Sequence, residues 1–166
     1  FLLNAADFGV PQGRVRLVFL GLHKDKVGKI PSCPSPTHDP SRFKNKTETT
    51  NAQSELFVED SLPQTMGVRE ALGLPEIGYD SLCPTLRCSL TGPRGTTSIL
   101  SSTAALKVWN QLMVWPNGVS ATRDRAQHYP AKKDHYRLSL EEVALLQGFP
   151  DYWKFEGAVH KSLGQI

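Results

Sequence analysis

The 166-residue chain contains no run of about 18 apolar residues, so its sequence encodes no helical membrane span. Its first residues, Phe1-Leu2-Leu3-Asn4, carry neither a basic leader nor a small-residue cleavage site, and a secretory signal peptide is not expected there. They also open without an initiator Met and in mid-pattern, which leads to the expectation of a fragment. Cysteine is scarce. Cys33, Cys83 and Cys88 are odd in number, widely placed and without a C-x-x-C pair, so neither a disulfide framework nor a zinc site is indicated. Cys83 and Cys88 with His128 and His135 match no metal-ligand spacing, so no metal is expected and a reducing, cytoplasmic compartment is.

Acidic residues are the other deficit, and an uneven one. Residues 1–47 carry eight Lys/Arg against three Asp/Glu, whereas residues 48–82 carry one against seven. Residues 83–137 return to eight against two, and residues 138–166 carry two against four, for a net charge of +3. Two basic blocks thus flank an acidic one. Blocks of this kind suit polyanion contact, because each neutralised phosphate releases counterions, and they equally suit an unevenly charged solvated surface.

What is present is a set of short elements. Residues 13–21 read as a strand, with β-branched and aromatic residues, no Pro and a closing Gly21. If the extended stretch reaches back to Gln12, then Gln12, Arg14 and Arg16 share one face and Val15, Leu17 and Phe19 the other, the core face. Same-face neighbours would be roughly 6.5–7 Å apart, which makes a polar row aimed at one cleft. Residues 24–64 are rich in Pro and polar residues and read as linker. A short helix is expected over 65–72, capped by Thr65 and stopped by Gly73. Short strands such as 85–90 are expected within 81–120, with Trp109, Leu112, Val114 and Trp115 anchoring a small core and Asn117-Gly118 marking a turn. The best-marked helix is 140–147: Ser139 with Glu142 forms a capping box, Leu140, Val143, Ala144 and Gln147 make a stripe, and Gly148 and Pro150 end it. Strands and helices mixed without βαβ regularity indicate a small α+β unit.

Three segments in this order resemble the C-terminal motifs of the DNA cytosine-5 methyltransferases. Asn4-Ala-Ala-Asp-Phe-Gly-Val-Pro-Gln-Gly-Arg-Val-Arg-Leu-Val-Phe-Leu-Gly21 resembles the family's Gln-x-Arg-x-Arg motif with its lead-in. Arg137-Leu-Ser-Leu-Glu-Glu-Val-Ala-Leu-Leu-Gln-Gly-Phe-Pro150 resembles the motif that supports the target recognition region. Lys161-Ser-Leu-Gly-Gln-Ile166 resembles the start of the last motif, stopping before its Gly-Asn. The segment 66–75, with Val68-Arg-Glu-Ala-Leu, is also similar to one common in the family. The resemblance implies an α+β fragment: the edge of a Rossmann-like α/β S-adenosylmethionine-dependent methyltransferase domain plus a small mixed target recognition domain. It divides the chain into the end of the catalytic domain at 1–22, a linker with a short helix at 23–79, a recognition domain with its supporting helix at 80–150, and a return to the catalytic domain at 151–166.

Family chemistry gives the arginines their implied roles. Cytosine C5 is a poor nucleophile, so a thiolate attacks C6 of a base flipped out of the duplex, and C5 then takes a methyl group from S-adenosylmethionine. By resemblance Arg16 contacts the flipped cytosine's carbonyl oxygen, and Arg14 and Gln12 organise the pocket and nearby backbone; Arg suits this because it stays charged and donates in a fixed fork. The family's Gly-rich cofactor loop, Pro-Cys nucleophile and Glu-Asn-Val motif do not occur in the sequence. Cys83-Pro84 has the reverse order and is not expected to be the nucleophile. No cofactor-binding residue is assigned, since the last motif stops at Ile166.

In the recognition region Arg87, Thr91, Arg94, Thr96, Thr97, Arg123, Arg125 and Lys132 are candidate DNA contacts, Arg to guanine edges and Lys or Thr to phosphate. The expected partners are duplex DNA, the catalytic remainder of the enzyme and a second chain through the exposed strand edge. A bacterial host would make the protein nucleoid-associated, with a restriction-modification role. A stand-alone DNA-binding module and a tRNA-modifying relative are the competing readings.

Overall fold

The structure, a computed structural model, describes residues 1–23, 25, 31–43, 61–87, 97–128 and 134–166. Its opening unit is a hairpin rather than a single long strand. β1 (Leu2–Asn4) pairs antiparallel with β2 (Val15–Leu17), placing Leu3 opposite Arg16 and Asn4 opposite Val15. A 3-10 turn over Ala5–Phe8 joins them; Asn4 Oδ1 accepts the Ala6 N–H at 3.4 Å. Gly9 ends the turn at φ +84°, a left-handed conformation that favours glycine, with the His38 ring so near that a Cβ would lie 2.7 Å from it.

Val15, Leu17 and Phe19, expected to face a core, are instead 51%, 61% and 85% exposed. The two strands form a ribbon with no covering layer among the described residues, so alternation has nothing to bury that face against.

The core lies around a second pair. β3 (Val114–Ser120) and β4 (Tyr136–Ser139) are parallel, and α3 (Arg123–His128) connects them, so the chain does contain one βαβ unit where none was expected. Parallel strands need such a crossover. Asn117-Gly118 accordingly lies inside β3, where Gly118 at φ +68° accompanies a register shift between Trp115 and Ser120, and is not a turn between strands. Residues 97–99 run beside β3: Ile99 N–H donates to Pro116 O and Val119 N–H to Thr97 O, both at 2.9 Å. The expected strand at 85–90 is absent over its described residues 85–87, and 88–90 lie outside them.

α2 (Thr103–Gln111) replaces expected strand and turn. Ser102 Oγ caps it by accepting the Ala105 N–H at 3.1 Å, and Ala105, Trp109 and Leu112 fall on one stripe in the core. Trp109, Leu112 and Val114 are fully buried, as the sequence suggests, and Trp115 is half-buried. Trp109, Leu112 and Val114 pack with Val68, Leu138, Val143, Leu146 and Leu163 into one cluster that does not include Trp115.

α1 (Val68–Ala71) starts later than expected because Thr65 is not its cap. Thr65 is buried and its hydroxyl donates to Ala6 O at 2.7 Å, while Asp80 caps the helix from a distance, its two carboxylate oxygens accepting the Arg69 and Glu70 N–H groups at 3.0 Å each. A side chain at Gly67 would overlap that carboxylate. Arg69 is buried, and its guanidinium donates to Leu112 O (2.5 Å) and Pro75 O (2.6 Å). Leu112 ends α2, so the cation meets the negative end of that helix.

α4 (Leu140–Leu146) lies where the sequence predicts a helix, and Glu142 Oε2 accepts the Ser139 N–H at 2.7 Å. Val143, Ala144 and Leu146 are buried, with Gln147 as the C-cap and Gly148 beyond it at φ +82°. α5 (Val159–Leu163) follows and buries Leu163. No described helix is long and apolar enough to cross a membrane.

Candidate nucleic-acid interface

The opening segment consists mainly of residues that hold two arginines in place. Arg14 O accepts the Ala5 N–H at 3.0 Å, which closes the hairpin, and Asp7 O accepts both Thr37 and His38 N–H groups at 2.9 and 3.1 Å. Pro11 O accepts the Cys83 N–H at 2.8 Å, and Gln12 bridges to Cys83 in parallel register. From this base β2 leads outward. Arg16 is exposed, its Nη1 donating to Val15 O at 2.8 Å, and Arg14 is half-buried. Neither forms an ion pair among the described residues. Alternation puts Arg16 on the face shared with Leu3, and away from Val15 and Leu17, while Arg14 immediately precedes the strand.

Gln12 does not join that row. It is fully buried, its Nε2 donates to Pro84 O at 3.5 Å, and its Oε1 has no hydrogen-bond partner among the described residues. The strand begins only at Val15, so the condition for a three-residue polar face is unmet. Gln12 instead ties the hairpin to the chain at 83–84.

Cys83 is buried beside it, and burial pushes its thiol well above the usual range, a shift the Gln12 contact opposes. A group held protonated and out of solvent does not act as a nucleophile.

The basic residues of the recognition region separate by surroundings. Arg87 is exposed directly after the buried Leu86, and Arg125 is exposed on α3. Thr97 is half-buried and its carbonyl is used by Val119. Thr91, Arg94, Thr96, Lys132 and Cys88 lie outside the described residues.

Arg123 has internal partners. Its Nη1 donates to both oxygens of Glu142 at 2.9 and 2.8 Å and to Arg137 O at 2.9 Å, and its guanidinium stacks 4.4 Å over the Tyr136 ring. Tyr136 completes the group by donating to Glu142 Oε1 at 2.5 Å. Burial first, and then the Glu142 carboxylate, push the Tyr136 phenol up to about 12. The only sequence signal for this network is Glu142 at its capping position. Its other two members come from α3 and β4, and spacing does not reveal them.

A parallel βαβ unit and an arginine-bearing hairpin do not by themselves fix one chemistry. The family model of C-5 cytosine-specific DNA methylases matches residues 1–166, and the chain belongs to that family. It is 28% identical over 157 residues to the type II methyltransferase M.BsuRI of Bacillus subtilis, covering 93% of this chain and 32% of that protein. It is 62% identical over 58 residues to the putative type II methyltransferase M.OihORF3336P of Oceanobacillus iheyensis, covering 33% of this chain and 12% of that one. Similarity to the type II methyltransferase M.AquIA of Picosynechococcus is 38% over 63 residues, 37% of this chain and 24% of that protein. The chain spans about a third or less of the length of these relatives. No solved structure matches it.

The family uses S-adenosylmethionine, whose binding calls for a glycine-rich turn from a strand into a helix N-terminus. Among the described residues β4 runs directly into α4 at Ser139–Leu140, and β3 reaches α3 through Ala121 and Thr122. Neither of these two described junctions has a glycine, so neither fits the cofactor.

Proposed function

We propose that this chain is the DNA-recognising and base-gripping C-terminal part of a DNA cytosine-5 methyltransferase, with duplex DNA as its substrate. The single observation that supports this most is the hairpin: Arg16 on β2 and Arg14 just before it have no ion-pair partner among the described residues, on a base fastened by Ala5, Asp7 and Pro11. Such a pair can hold the carbonyl oxygen of a flipped cytosine and a neighbouring phosphate, Arg16 reaching the base and Arg14 bracing it. Arg87 and Arg125, exposed, serve as phosphate or base-edge contacts, with Arg94, Thr96, Thr97 and Lys132 as further candidates in the same region. Nucleophile and cofactor site belong to the catalytic remainder of the enzyme, which packs on the apolar side of the hairpin. The chain alone then binds DNA weakly and methylates nothing.

The deciding variant is Arg16→Ala in the intact enzyme. Turnover should fall by roughly 10²-fold or more, and DNA affinity by much less, because the contact forms with the flipped base. An equal fall in both would mean that Arg16 only holds DNA.

A further inference from the structure

Residues 149–155, between α4 and α5, gather three aromatic rings around one hollow. The Phe149 ring lies 5.8 Å from that of Trp153 at 55° and 5.2 Å from that of Phe155 at 75°. The Trp153 N–H donates to Pro150 O at 3.0 Å, a turn that keeps the rings on one side. They line a cavity of about 330 Å³ together with Glu141, Asp151 and Lys154. Trp153 is 53% exposed, so part of this apolar surface faces solvent.

The rim carries uncompensated negative charge. Glu141 and Asp151 make no hydrogen bond or ion pair among the described residues, and Glu142, which also borders the hollow, is already matched by Arg123. Lys154 offsets one of the two free carboxylates. Aromatic faces present negative potential, and carboxylates beside them add to it, so a weakly hydrated cation is favoured over a neutral group of equal size. The same carboxylates repel a phosphate backbone, which counts against base stacking here even though the protein handles DNA. A volume near the lower end for ligand pockets suits a small head group.

From these observations we infer that the Phe149–Trp153–Phe155 hollow is a binding site for an alkylated ammonium cation of the choline type. The cation seats against the rings and is drawn in by Glu141 and Asp151. This reading is independent of Arg14 and Arg16.

The test is saturation-transfer NMR on the intact protein, with choline chloride and, separately, its neutral isostere in which carbon replaces the quaternary nitrogen. Saturation of the choline methyl protons should exceed that of the isostere by about threefold or more. It should fall by a similar factor in Trp153→Leu and in the charge-removing pair Glu141→Gln with Asp151→Asn. Because Trp153 is half exposed and both carboxylates are unpaired, these changes leave the core intact, which thermal melts verify. Equal saturation by the isostere, an unchanged signal in the charge-removing pair, or displacement of choline by a short thymidylate oligomer would each overturn the inference. No choline signal from the wild-type protein would do the same.

Discussion

Val10 packs directly against Gly148, so closely that a Cβ built at position 148 lies 2.9 Å from Val10 Cγ2. The contact joins the lead-in of the arginine hairpin to the end of α4, two segments far apart in sequence. Gly148 also stands at φ +82°, where a side chain is strained regardless of neighbours. Gly148→Ala should therefore cost about 1–3 kcal/mol in a denaturant melt. Adding Val10→Ala should recover part of the loss, since the steric share needs both side chains. Strict additivity of the two substitutions would show that only backbone strain matters.

Arg123 and Arg125 are two residues apart on α3 and should behave oppositely. Arg123→Ala leaves Glu142 without its cation and should lower stability by about 1–3 kcal/mol. Arg125→Ala should change stability by less than about 0.5 kcal/mol while weakening DNA binding and lowering the salt slope by about one phosphate contact. Melts and salt-dependent binding isotherms separate them. Unchanged affinity of Arg125→Ala at low salt would remove the α3 surface from the interface.

The Tyr136 phenol titrates near 10 in an unfolded chain and near 12 in the fold. Its folded pKa is raised, so its contribution is complete below pH 10 and disappears as pH rises towards 12. Stability should fall across that window, and by less in Tyr136→Phe, which has no proton to release. Parallel melts from pH 8 to about 12 read the difference; identical slopes would mean that Tyr136 is not linked to folding.

Cys33 is exposed, whereas Cys83 is buried with its thiol held protonated. Brief alkylation of the native protein followed by peptide mass mapping should label Cys33 and spare Cys83, and denaturant should equalise them. Rapid native labelling of Cys83 would contradict both its burial and its passive role.

Local signals reported local structure well. Gly148, Glu142 and the apolar spacing of Val143 and Ala144 announced α4, because caps and period depend on neighbours within one or two turns. Trp109, Leu112 and Val114 were legible as core from their bulk and apolarity. The helix over Thr103–Gln111 differs from the expected short strands and turns: Ser102, Ala105 and Trp109 carry its cap and helical spacing, and the surrounding Gly and Pro signal turns instead. Asp80 as the cap of α1 could not be read in advance, since its partners lie ten and eleven residues away.

By itself the sequence determined the family and the position of α4, both of which rest on residue order and backbone period. Tertiary structure alone decided that Gln12 turns inward to Pro84 and that Arg123 is bound to Glu142. A side chain's freedom depends on what the fold brings within about 3 Å of it, and that distance is set by packing between elements far apart in the chain.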